Sequence, residues 1–107
     1  KMALEVLNLM PGEKIVVTPG MIELGDKQYE ANYNFGTQIA SVADYVILVG
    51  REQTKPIYDG LEKEKYDKNK IFVLNDVKEA FPLMHRLKND ETYVLLENDL
   101  PDLFNER

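Results

Sequence analysis

Short apolar, β-branched runs recur through this chain at residues 15–17, Tyr45–Val49, Ile71–Leu74 and Tyr93–Leu96, with segments of helical period between them. Such runs are too short for helices. Lacking polar alternation, they suit strands covered on both faces. Strands that alternate with helices of this length run parallel with right-handed crossovers, because a tight hairpin cannot join parallel neighbours. The expected fold class is therefore α/β: a Rossmann-like three-layer domain with a mainly parallel sheet of about four strands.

The intervening segments fill in the order αβαβαβαβ. Ala3, Val6, Leu7 and Met10 fall at i, i+3, i+4 and i+7, one helical stripe that Pro11 and Gly12 end. A domain of this class normally opens on a strand, so a helix leading into the first strand implies a domain truncated at its N-terminus. Residues 1–107 are read as one domain. After the loop 18–25, Tyr29, Tyr33, Gly36, Ala40 and Ala43, widened by Phe35, Ile39 and Val42, mark a helix against the sheet, with Gly36 allowing close approach to a strand. Thr54 is a candidate N-cap for a helix with Pro56 in its first turn and Ile57, Tyr58 and Leu61 on its apolar side. The charge run 62–70 reads as a solvated helix end and turn. Asp76 and Glu79 resemble a capping box ahead of Val77, Ala80, Phe81, Met84 and Leu87, and Pro82 predicts a bend or a helix start near residues 78–81. In the tail, Leu100, Leu103 and Phe104 are candidate anchors.

Charge and composition then exclude several classes of function. The 13 basic and 19 acidic residues give a formal charge of −6, with Lys scattered among Glu and Asp, so no nucleic-acid partner is expected. With no Cys and the single His85, neither a disulfide, a thiolate site nor a His-based metal site is expected. No apolar run approaches the roughly 20 residues of a membrane span, and no signal-peptide pattern opens the chain. A cytoplasmic protein without membrane insertion is the expectation.

Ligands of open α/β sheets bind beyond the carboxyl ends of the strands, which nominates the loops 18–25, 50–54, 75–76 and 97–99. Gly20 and Gly25 are spaced as in a phosphate loop. However, Asp26, Lys27 and Gln28 follow where Lys and Ser or Thr would be needed, and Glu23 and Asp26 would repel phosphate. The carboxylates Glu23, Asp26, Asp76, Glu97 and Asp99 could hold an ammonium group or a metal, or simply cap turns. Arg51, the only Arg of these loops, could meet a carboxylate ligand or form a surface salt bridge. His85 has no Ser, Cys or acid at triad spacing. No catalytic residue and no metal ligand are assigned, and the residues alone indicate an α/β binding domain whose ligand is open.

The stretch IVVTPGMIELGDKQYEANYNFGTQIA, followed by ADYVILVG, resembles the C-terminal domain of the Mur ligases, nearest to the branch that adds D-alanyl-D-alanine to the muramoyl tripeptide. In that branch a Gly-Asp-Met-x-Glu-Leu-Gly loop follows the strand; Gly20, Met21, Glu23, Leu24 and Gly25 stand in those places here. The resemblance implies an ATP-dependent amide ligase of peptidoglycan precursor synthesis. In it a substrate carboxylate is phosphorylated and the acceptor amine attacks the acyl phosphate. ATP and Mg2+ would be held mainly by a central domain, which with an N-terminal domain would lie outside this chain. The present part would position an amino acid or D-alanyl-D-alanine for addition to a UDP-N-acetylmuramoyl peptide and would be inactive alone. Gly20, Met21, Glu23, Gly25, Arg51, Asn98 and Asp99 are the expected substrate contacts. Two departures are visible: Asn32 stands where these ligases often carry His, and residues 97–101 replace a Lys-Gly-Ser/Ala-Arg-Gly segment. The competing hypothesis is a stand-alone flavodoxin-like or receiver-like binding module. Thr18 and Gly50 occupy the positions where a receiver would need acids.

Overall fold

Strands made of Ile, Val and Leu without polar alternation call for burial on both faces, and the computed structural model, which describes residues 2–21, 25–89 and 91–96, buries the two central ones so and leaves the outer two half-covered. The elements are α1 (Met2–Asn8), β1 (Lys14–Thr18), α2 (Gln28–Ala40), β2 (Tyr45–Val49), α3 (Lys55–Lys63), β3 (Ile71–Leu74), α4 (Val77–Leu87) and β4 (Tyr93–Leu96). Among the described residues the strands form one parallel sheet in the order β3-β2-β1-β4. Val16 lies opposite Val46 and Leu95, and Val46 lies opposite Ile71. Asp44 fixes the start of this register: its carboxylate accepts the Lys14 N–H at 2.7 Å, and its own N–H donates to the Lys14 carbonyl at 2.7 Å.

The period-2 alternation of a strand divides the core in two. Val16, Val46, Leu48 and Ile71 pack with Leu4 and Leu7 of α1, Phe35 and Ile39 of α2, and Ile57 and Leu61 of α3. Ile15, Val17, Ile47 and Val49 pack with Val77, Ala80 and Leu83 of α4. The expected three-layer α/β arrangement is thus present, with α1, α2 and α3 on one face and α4 on the other.

Several local expectations are corrected. Among the described side chains of α1, Leu4 and Leu7 are buried and Val6 is exposed, while the expected Ala3 lies outside them. On α2 the buried stripe is Asn32, Phe35, Gly36 and Ile39; Tyr29 is exposed and its ring stacks on Tyr33. Gly36 does bring a backbone close, but that backbone belongs to α3 and not to a strand: a Cβ at Gly36 would collide with the Ile57 carbonyl, and one at Gly60 with the Tyr33 carbonyl. The two helices cross at these glycines. Thr54 precedes α3, yet its hydroxyl makes no cap; it donates to the Gly50 carbonyl at 2.7 Å. In α4 the helix starts at Val77 and runs through Pro82, with Leu83 buried and Phe81 exposed. Asp76 caps it by accepting the Lys78 N–H at 2.9 Å, while Glu79 reaches the Asn75 N–H, one residue outside the usual box. The run 62–70 is exposed apart from the half-buried Tyr66, as its charges require.

Candidate functional site

The carboxyl ends of β1 and β2 lead into α2 and α3, and the first of these connections is held by its own side chains. Thr18, fully buried at the end of β1, accepts the Gly20 N–H on its hydroxyl at 3.0 Å. Gly20 has φ +85°, a left-handed conformation that disfavours any residue with a Cβ. One residue on, Asn32 of α2 clamps Met21 from both sides. Its Oδ1 accepts the Met21 N–H at 2.7 Å, and its Nδ2 donates to the Met21 carbonyl at 2.9 Å and to the Gln28 carbonyl at 2.8 Å. Asn32 is 0% exposed, and its buried amide is satisfied by these backbone groups of the half-buried Met21 and Gln28. The sequence showed Asn32 only as a departure from a family pattern. The signal for its role was a short polar side chain one turn before Phe35 and Gly36, on the face that had to be buried.

Gly25 opens the 3-10 turn Gly25–Lys27 with φ +60°, exposed and with open space around it, and Asp26 is exposed beside it. Gly20 lies against the Gln53 carbonyl and the Ile57 side chain, so the loops after β1 and β2 touch. The second loop is tied down by Gly50, whose N–H donates to the Leu74 carbonyl at 2.7 Å and whose carbonyl accepts both the Thr54 hydroxyl and, at 3.1 Å, the Thr54 N–H. Arg51 projects from this loop into solvent. It lines an open cleft of about 410 Å³ with Thr54, Lys55, Tyr58, Ile71 and Val73, between α3 and the edge strand β3. No described residue of the β1–α2 loop lines that cleft.

Of the expected contacts, then, Gly20 and Met21 share one clamped loop, Gly25 stands at its exposed far end, and Arg51 belongs to a separate cleft. Glu23, Asn98 and Asp99 lie outside the described residues, as does Glu97. Asp76 is engaged as a cap, and His85 is exposed on α4. Among the described residues no three His, Cys, Asp or Glu side chains converge on a point where a metal could sit, and no helix is long and apolar enough to cross a membrane.

Electrostatic coupling concentrates beside the α2–α3 crossing. The Asp59 carboxylate accepts from the Lys55 ammonium and the Tyr29 hydroxyl, each at 2.6 Å. Partial burial pushes the Asp59 carboxyl up, but the two hydrogen bonds and the Lys55 charge together hold it below its ordinary value. The same contact with Asp59 raises Lys55 and Tyr29. Burial raises the Tyr66 phenol, with the Asp44 charge adding to it; its hydroxyl donates to the Ala43 carbonyl at 2.8 Å.

No protein-family model matches this chain, and no curated protein matches it. Among solved structures, MurF from Acinetobacter baumannii superposes on 88% of the chain with a TM-score of 0.65 and 22% sequence identity. The chain spans 20% of the length of that protein. The likeness is one of fold.

Proposed function

We propose that this chain is the C-terminal part of a Mur-type amide ligase, presenting an acceptor amino acid or D-alanyl-D-alanine for addition to a UDP-N-acetylmuramoyl peptide in the cytoplasm. The observation that carries this reading is the likeness of fold to MurF over 88% of the chain. It is supported by the Gly20–Met21–x–Glu23–Leu24–Gly25 pattern, which falls on the loop beyond β1 where an open α/β sheet receives ligands. The strand order also favours it over the alternative. The order β3-β2-β1-β4 matches the first four positions of the Rossmann order 3-2-1-4-5-6, whereas a stand-alone flavodoxin-like or receiver module would follow 2-1-3-4-5.

In this reading Asn32 holds Met21 so that the backbone of residues 20–21 faces the acceptor in one conformation. Gly20, Met21, Glu23, Gly25, Asn98 and Asp99 are the proposed contacts, and Arg51 is taken up below. Positioning of this kind accelerates amide formation without a general base in this domain. ATP with Mg2+ would supply activation of the carboxylate. The residues present do not fit that pair: the loop lacks the Lys and hydroxyl of a phosphate loop, and no metal-binding group is found among the described residues. The nucleotide would be held by domains outside this chain, and the chain alone would be inactive.

A thermal-shift screen of the complete protein tests the reading, because a ligand that binds only the native state raises its melting temperature. Stabilisation by ATP–Mg2+ together with one acceptor among D-alanyl-D-alanine and single amino acids is the expected outcome. Silence from a folded protein that carries an upstream phosphate loop would overturn it.

A further inference from the structure

The cleft between α3 and β3 has a built interior. Ile71 and Val73 are two residues apart and share a face of the edge strand, where α3 covers them incompletely: Ile71 is 9% exposed and Val73 half-buried. Tyr58, half-buried on α3, supplies a third apolar surface, and its hydroxyl makes no hydrogen bond among the described residues. The volume of about 410 Å³ falls within the roughly 300–1,000 Å³ typical of small-molecule sites. Two cations stand at the mouth, but only one of them is available. Lys55 is engaged with Asp59 at 2.6 Å, whereas Arg51 has no hydrogen bond or ion pair with any described residue, its neighbour Glu52 included. The Thr54 hydroxyl is spent on Gly50, so it offers the ligand no donor.

We propose that this cleft binds a small carboxylate with a flat or branched apolar body, the body lying on Ile71, Val73 and Tyr58 and the carboxylate pairing with the guanidinium of Arg51. An unpaired Arg beside apolar surface is the chemistry for such a ligand, since the planar fork holds a carboxylate by two parallel hydrogen bonds. The site sits at the β3 edge, the end of the sheet farthest from β4, and it does not rest on the ligase reading.

Titration with phenylacetate, followed by the side-chain NMR signals of Tyr58, Ile71 and Val73, tests it. Saturable shifts at these signals are expected. Arg51→Gln should weaken phenylacetate about tenfold or more, the loss of one charge-assisted pair. Lys55→Gln should change it less than about twofold, since Lys55 is already paired. Val73→Phe, filling the cleft, should abolish the shifts. Arg51 is exposed, so its variant tests binding without disturbing the core. Absence of saturable shifts, equal binding of the neutral isostere phenylacetamide, or unchanged affinity in Arg51→Gln would each overturn the proposal. So would inorganic phosphate reproducing the same shifts, because the site would then be a simple anion site with no use for its apolar floor. No nucleotide or muramoyl ligand enters the experiment, so its failure would leave the ligase reading standing.

Discussion

The two faces of the sheet are covered in different ways. On one, α2 and α3 approach until their backbones meet at Gly36 and Gly60, and Ile39, Ile57 and Leu61 are 0% exposed. On the other, α4 carries a proline in its interior, leaves Phe81 exposed and holds Met84 and Leu87 only half-buried. Both candidate loops feed the tight face: the loop after β1 runs into α2, where Asn32 clamps it, and the loop after β2 runs into α3. The difference teaches where precision is kept. The candidate loops spring from the tightest packing, and α4 serves as a cover that tolerates imperfection.

The harshest way to break this contrast is to push the two helices apart. Gly36→Val or Gly60→Ala would place a side chain on the backbone carbonyl of the opposite helix, which cannot swing aside as a side chain can. A loss of about 3 kcal/mol or more is expected in chemical denaturation. Gly25→Ala is the comparator. There the space is open and only the positive φ opposes a Cβ, so a loss of about 1 kcal/mol is expected. Equal losses at Gly36 and Gly25 would show that the crossing is not tight.

Next in size is the clamp. Asn32→Ala removes the side chain that bonds the Met21 N–H and the Met21 and Gln28 carbonyls, a cost of about 2 kcal/mol for these part-buried bonds. The accompanying signature is faster hydrogen exchange at the Met21 amide with little change in the strands. Uniform exchange across the sheet would mean that Asn32 supports the core rather than the loop.

On the thin face a substitution should improve matters. Pro82 is exposed in α4 and has no N–H to donate to the Lys78 carbonyl, so Pro82→Ala restores a helical hydrogen bond at the loss of little packing. A gain of about 1 kcal/mol is expected in the same denaturation experiment, a part of the full interior-proline penalty. Destabilisation would indicate that α4 is adapted to its proline and that this face is less tolerant than its packing implies.

The strands were legible because their apolar runs are bounded by residues that stop them: Gly50 after β2, and Asn75 and Asp76 after β3. What stayed hidden depends on which surfaces meet. Gly36 and Gly60 are both visible in the chain, but nothing local says that each faces the other rather than a strand. Tyr29 and Phe81 fit a helical stripe by spacing, and the fold placed them at the rim because Asn32 and Leu83 took the inward positions. Asn32 misled pattern reading since a polar side chain counts against burial until its hydrogen-bond partners are known. The Arg51 cleft could not be read at all: it exists because β3 is the sheet's edge, which is a property of strand order.

The smallest expected effect concerns the electrostatic tie across the tight face, where Tyr29 of α2 and Lys55 of α3 both donate to Asp59. Asp59 is held below its ordinary value of 3.8, so the native state binds its proton less readily than the unfolded chain does. Its contribution is therefore complete above the unfolded value and is lost as pH falls through the lower folded one. Lys55 and Tyr29 are raised, so their contributions are complete below their unfolded values and disappear as pH rises through the folded ones, in the alkaline range. Asp59→Asn should accordingly lower stability slightly near neutrality, and the wild-type and variant curves should converge in the acid limb. Added salt should shrink the gap, since the Lys55 end of the pair is exposed to solvent and screened. Curves that stay parallel into acid would show that the carboxylate does not bridge the helices, leaving the glycine crossing alone to distinguish this face from the one beneath α4.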